Sequence, residues 1–419
     1  MKILIKGGRI VDPATGRDEV GDLYLEEGKV SQPFSKPERT IDAKGLVVAP
    51  GFIDLAARLR EPGQEYKATL ESEMAAAVAG GVTSLACPPD TDPPLDEPGL
   101  VDMLRRRAKT LTRARVYPVG ALTVKLAGEA LTEMAQLAQA GCVAFSQANA
   151  PLTDTQVLWR ALQYAATFRL PVWLRAEDTW LAKGGVAHDG EVATRLGLPA
   201  IPAFAETIAL AVLLELVRAT GARVHVCRLS SAGAVRMMQA AKAEGLPVSC
   251  DVGIHHVHLS ELDIGYFDSQ CRLDPPLRGA RDRDALARGL AEGVIDCAVS
   301  DHTPVDEDGK HLPFAEAEPG ATGLELLLPL TLSWAAGREL PLAAALSRIT
   351  SEPARILGVS SGTLSRGAPA DLALFDPAAE WRVSAESLKS QGKNTPFLGS
   401  TLNGRVLYTI VAGNVVYEG

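Results

Sequence analysis

Residues 50–63 read Pro50-Gly51-Phe52-Ile53-Asp54-Leu55-Ala56-Ala57-Arg58-Leu59-Arg60-Glu61-Pro62-Gly63. The run Gly51–Leu55 is apolar except for Asp54, and Arg58, Arg60 and Glu61 follow it. A short apolar run punctuated by Pro and Gly reads as a buried strand. Working outward, segments of this kind recur at Thr83–Cys87, Val116–Val119, Cys142–Phe145, Val172–Leu174, Val224–Cys227, Val248–Asp251 and Ile295–Val299. Each is followed by a run rich in Ala, Leu and charge at helical period: Thr69–Ala79, Pro98–Lys109, Glu129–Ala138, Thr155–Phe168, Glu206–Arg218, Ala232–Glu244, Arg281–Ala291 and Gly323–Ala335. Gly81, Gly141, Gly221 and Gly245 fit helix C-terminal positions. Eight β/α units in succession predict an α/β fold, a (β/α)8 TIM-type barrel over residues 51–359. Functional groups of such barrels lie just beyond the C-terminal ends of the strands. Residues 56–63 then form the first strand-end loop.

The two ends of the chain resemble each other. Lys2–Lys6, Arg9–Val11, Asp22–Leu25 and Leu46–Val48 are strand-like, as are Asp371–Phe375, Arg405–Val411 and Val415–Tyr417. The expectation is a small β-sandwich domain built from residues 1–50 and 360–419, with the barrel inserted between them.

Composition bounds the function. The 419 residues are 47% hydrophobic and 22% charged, with a formal charge of −9. That balance argues against nucleic acid and anionic membranes as partners. No apolar stretch reaches the ~18 residues of a membrane span. The N-terminal apolar run is interrupted by Gly7-Gly8 and does not read as a signal peptide. Six Cys without C-x-x-C spacing read as buried free thiols of a cytoplasmic protein.

The strand-end motifs resemble those of the dihydroorotase family, within the amidohydrolase superfamily of metal-dependent barrels. In that family the first stretch reads Gly-Phe-Ile-Asp-x-His-x-His-x-Arg. Both His bind zinc and the Arg holds the substrate carboxylate. Here Ala56 and Arg58 stand at the two His positions and Arg60 at the Arg. Phe145-Ser146-Gln147-Ala148-Asn149 matches Phe-Ser-Asp-Asp-Gly, with Gln147 at the metal-bridging Asp. Arg175-Ala176-Glu177-Asp178 matches His-x-Glu-Asp, and His225-Val226-Cys227-Arg228-Leu229-Ser230 matches His-Val-x-His-x-Ser. Arg175 and Arg228 therefore replace two more ligands. Ser300-Asp301-His302-Thr303-Pro304 keeps Asp301 at the position of the family's metal-binding general base, a vestigial base not expected to act. Asp90, in Pro88-Pro89-Asp90-Thr91-Asp92-Pro93, and Asp274, in Asp274-Pro275-Pro276-Leu277-Arg278, replace two substrate-binding Asn. The match continues through Asn394–Gly399 and Gly404–Gly413.

Five of six ligand positions have changed. A guanidinium stays protonated and cannot bind zinc. Three Arg in a space meant for two dications would repel any metal by several kcal/mol. The expectation is no metal and no cofactor, with at least one of Arg58, Arg175 and Arg228 pairing with Asp301, since a buried carboxylate needs a partner. Asp54 is a second candidate for such pairing. Arg60 reads either as a structural ion-pair residue or, with Asp90 and Asp274, as the remnant of a small-anion site. His255, His256 and His258 read as ordinary loop or core histidines rather than a relocated metal site.

This pattern of losses is similar to that of noncatalytic dihydroorotase-like proteins. The resemblance implies an oligomeric complex with the catalytic chain of aspartate transcarbamoylase, in pyrimidine biosynthesis. A free partner surface would then matter, and the loop from Asp301 to Pro319 is one candidate. The alternative is an active dihydroorotase or other cyclic-amide hydrolase with a rebuilt site. There Asp301 would act as base while Arg58 or Arg228 polarises the amide carbonyl, without a metal hydroxide.

Overall fold

The computed structural model describes residues 1–419. Its centre is a ring of eight parallel strands: Phe52–Asp54, Val82–Cys87, Arg115–Ala121, Ala144–Ser146, Val172–Leu174, Val224–Val226, Val248–Gly253 and Cys297–Val299, neighbours in sequence order. All eight segments expected as strands are there. Most are only three to six residues long, and their apolar side chains are buried, as in parallel sheets covered by helices. The ring closes through an interposed segment. Ala298 N donates to Arg348 O (3.1 Å) and Ile53 N to Ile349 O (2.8 Å). Above that seam the first and last strand-end loops are stitched together, with Arg58 N donating to His302 O and His302 N to Ala56 O.

The helices follow local signals. Thr69 and Ser72 form a capping box ahead of Leu70–Ala79, Asp154 caps Thr155–Phe168, and Ser231 caps Ala232–Ala243. Gly141 (φ 114°) and Gly221 (φ 66°) end their helices in left-handed backbone. Two helices start later than expected. The third runs Met134–Ala140, because Leu131 bridges Thr123 and the Thr132 hydroxyl donates to Ala121 O, which keeps residues 129–133 extended. The eighth runs Leu327–Ala336, because the N–H groups of Gly323 and Leu324 donate to the His302 ring.

The chain ends meet in one sheet that includes Lys2–Asp12, Arg17–Glu26, Val47–Pro50, Leu372–Arg382, Thr401–Val411 and Asn414–Glu418. Lys2–Asp12 is a single strand, not two: the register shifts between Ile5 and Gly8, a bulge at Lys6-Gly7 with Gly7 at φ 70°. Two short strands, Lys29–Val30 and Arg39–Asp42, add to the sheet and carry too few apolar residues to announce themselves. Side chains alternate across it. Ile3, Ile5, Ile10, Leu372 and Ile410 fill the small domain's own core. Val11, Val47, Phe375 and Val406 join the barrel's core instead, which fixes one domain on the other. Five of the six free Cys are buried, and Cys227 is partly so. No helix is long and apolar enough to cross a membrane.

Candidate functional site

The backbone turns sharply at the strand ends. Arg60, Ala148, Arg228 and Asp301 all have positive φ, between 47° and 62°. Left-handed backbone costs a non-Gly residue about 1 kcal/mol or more, so tertiary contacts must hold it.

Those contacts form a polar cluster across the barrel mouth. Asp301 Oδ1 lies 3.3 Å from Arg228 Nη1 and 3.5 Å from Arg58 Nη1. Arg58 Nε donates to Asp90 at 2.7 Å and its Nη1 to Thr303 Oγ1 at 3.1 Å. Asn149 Oδ1 accepts from both Arg58 Nη2 and Arg228 Nη2, while its Nδ2 donates to Asp274 at 2.8 Å. Asp274 lies 2.7 Å from Arg175, which also pairs with Glu177. Arg58 and Arg228 thus pair with Asp301 as expected, whereas Arg175 goes to Asp274. The Arg side chains are 6–7% exposed.

The electrostatics follow from burial and contact. Burial would raise the carboxyls of Asp90 and Asp274, but Arg58 on the one and Arg175 on the other hold both below the ordinary range. For Asp301 burial wins: its carboxyl is raised, with Arg228 and Arg58 pulling against it. Glu177 is likewise raised by burial against the pull of Arg175. Every arginine of the cluster except Arg60 has a carboxylate within 4 Å.

Several expectations need correcting. Gln147 is not part of this cluster. Its Oε1 accepts from Thr123 Oγ1 and its Nε2 donates to Leu126 O, so both ends of the amide are engaged away from the arginines. Arg60 is not an ion-pair residue. It donates from Nε to Pro304 O and from Nη1 to Gln64, both neutral acceptors, and burial followed by repulsion from Arg58 lowers it to about 10. Asp54 pairs with no cation: it accepts from Ser300 N, Ser300 Oγ and Ala56 N. Asp90 and Asp274 face Arg58 and Arg175 respectively. Asn149 and Thr303 are cluster members that sequence reasoning missed.

The histidines are structural. His302 Nδ1 accepts from Gly323 N, so Nε2 carries the proton and donates to buried Glu73 at 2.5 Å. Burial would raise Glu73, but that bond and those from Ser390 and Ser72 hold it down. His256 bonds Pro275 O and His258 bonds Leu330 O, while His255 packs edge-on against Phe397. Burial lowers His255 to about 3 and His256 to about 4.

The side chains at the resembling ligand positions do not fit two zinc ions. Ala56 has no donor atom, and Arg58, Arg175 and Arg228 bring positive charge. One other group of possible ligands exists, His225, Cys227 and Asp251. Both nitrogens of His225 are taken, by Ser249 and Asp251, and burial raises Cys227 far above its ordinary value. A neutral thiol and an engaged imidazole make a poor metal site.

The family described as Dihydro-orotase-like matches residues 45–234. The chain is 44% identical to the "Dihydroorotase-like protein" of Pseudomonas aeruginosa (strain PAO1) over 424 residues, all of both chains. The chain belongs to the dihydroorotase-like family. Another dihydroorotase-like protein, from Pseudomonas putida, is also 44% identical, covering 100% of this chain and 99% of that one. A protein named "Dihydroorotase" from Geobacter sp. (strain M21) is 41% identical over the full length of both. Among solved structures, the L-hydantoinase (dihydropyrimidinase) of Arthrobacter aurescens superposes with a TM-score of 0.89 at 25% identity, covering 99% of this chain and 96% of that one. The barrel and its two-ended β domain thus share their fold with that hydantoinase.

Proposed function

We propose that this dihydroorotase-like chain is a noncatalytic member of its family, free of zinc. It would serve in the cytoplasm as a structural or assembly subunit for the catalytic chain of aspartate transcarbamoylase. The observation that carries this reading is Asp301 lying between Arg58 and Arg228. A general base must reach a metal-bound water or a substrate proton. An Asp301 engaged by two guanidinium groups is directed at neither. The metal-free alternative needs Arg58 or Arg228 to polarise an amide carbonyl. All three donor nitrogens of Arg58 already have acceptors, in Asp90, Thr303 and Asn149.

The partner rests on the resemblance in the pattern of lost ligands, which implies an oligomeric complex. The hydrolase reading keeps one support, the name "Dihydroorotase" carried by relatives 41% identical. One experiment addresses both. The chain is co-expressed with the aspartate transcarbamoylase catalytic chain of its own organism, and the product is assayed for dihydroorotate formation with zinc and manganese supplied. Co-elution without dihydroorotase activity is expected. Activity with no co-elution would favour the hydrolase.

A further inference from the structure

A small cavity lies below the ion-pair cluster, walled by Ala56, Ser146, Cys227 and three guanidinium-bearing side chains, Arg58, Arg175 and Arg228. It measures about 30 Å³ and no carboxylate lines it. The balancing acids, Asp90, Asp274, Asp301 and Glu177, bind their arginines from outside this lining.

Arg175 and Arg228 use both terminal nitrogens of their guanidinium groups on the cluster. Neither Nε has a hydrogen-bond partner in the protein; both side chains are more than nine-tenths buried, yet neither nitrogen is itself fully enclosed. Buried charge-bearing N–H groups are ordinarily satisfied. The Ser146 hydroxyl already accepts from Ala148 N at 3.0 Å, which leaves its own proton free to donate. Burial pushes the Cys227 thiol far above its ordinary value, so it brings no negative charge.

We infer that this cavity is a binding site for a small monovalent anion of chloride size. The inference deepens the reading that the family's metal position has been dismantled, and rests on it. Replacing imidazole and carboxylate by arginine lines the space with guanidinium N–H donors and no carboxylate. The volume sets the size: about 30 Å³ holds one or two water-sized particles. A halide fits that space. The remaining wall is mainly apolar, which suits a weakly hydrated monovalent ion held by a few N–H groups.

The test uses the full chain. Crystals grown without halide and soaked in sodium bromide are expected to show an anomalous peak between the Nε atoms of Arg175 and Arg228. In solution the unfolding midpoint should rise by roughly 2 °C from zero to 300 mM chloride, against gluconate at equal ionic strength. That rise should vanish in Ala56→Val, which fills the cavity and touches no arginine charge. Water alone in the cavity after bromide soaking, or bromide only on the outer surface, overturns the inference. An equal chloride response in Ala56→Val does so too. Metal analysis of the same sample keeps the two readings apart. A bound transition metal refutes the dismantled metal site, whereas metal-free protein that takes no bromide refutes the anion site alone.

Discussion

Asp301 Oδ1 and Arg228 Nη1 lie 3.3 Å apart, joining the ends of the eighth and sixth barrel strands. The aspartate stands where the resemblance places a general base, and the arginine where it places a zinc ligand. The same two positions therefore carry opposite charges that satisfy each other. Removing Arg228 leaves Asp301 with Arg58 as its one remaining cation. Arg228→Leu is expected to lower unfolding stability by about 3 kcal/mol, the usual cost of breaking a buried pair. The double variant Arg228→Leu/Asp301→Leu should recover a large part of that loss. Chemical denaturation of the four proteins in the cycle checks it, and additive losses would mean the pair is not coupled.

Asn149 accepts from Arg58 and Arg228 at once and donates to Asp274. Asn149→Leu leaves two buried guanidinium N–H groups without their acceptor, while Asp274 keeps Arg175. A loss of roughly 2 kcal/mol is expected by the same denaturation measurement. A neutral effect would show that water replaces the amide.

Restoring part of a metal site should not restore chemistry. Ala56→His/Arg58→His supplies two imidazoles but leaves Gln147 turned away and Arg175 and Arg228 in place. It also removes the cation that balances Asp90. No dihydroorotate formation above background is expected in a zinc-supplemented assay. Measurable turnover would show that the remaining ligands are closer to functional than their contacts imply.

Glu325 carries a pH dependence. It accepts from the N–H groups of Lys389 and Ser390, yet burial pushes its carboxyl up to about 7. A carboxyl raised in the folded state favours folding at low pH. Its contribution is complete below its ordinary value of 4.5 and is lost as pH rises through 7. Glu325→Gln should match the parent at pH 5 and exceed it at pH 8, by roughly 1–3 kcal/mol. Thermal unfolding across that range checks it. A Glu325→Gln curve parallel to the parent's would place the titration elsewhere.

Much of this architecture is legible in the sequence. The Pro-Gly boundary and apolar run at 50–55 mark the first barrel strand, and the seven later strands follow from the same kind of segment. Helix starts at residues 134 and 327 were not legible, because Thr132 and His302 compete for the local backbone through tertiary contacts. At the site, charge counting gave the pairing of Asp301 with arginine, since a buried carboxylate has few alternatives. It did not give Arg60 or Gln147. Arg60 is satisfied by neutral oxygens, and Gln147 by a hydroxyl and a carbonyl, which no pattern of charges announces. Asn149 was hidden for a related reason: the family frame reads its position as glycine, and only the left-handed turn at Ala148 brings its amide into the cluster.

The measurement that bears most directly on the central claim is metal content per chain. The protein is purified without chelator and without a metal-carrying affinity tag, then analysed for zinc, manganese and cobalt. Arginines at three positions where the resemblance places metal ligands lead to a content well below one ion per chain. One or two tightly held ions per chain would contradict that and return the hydrolase reading to the front.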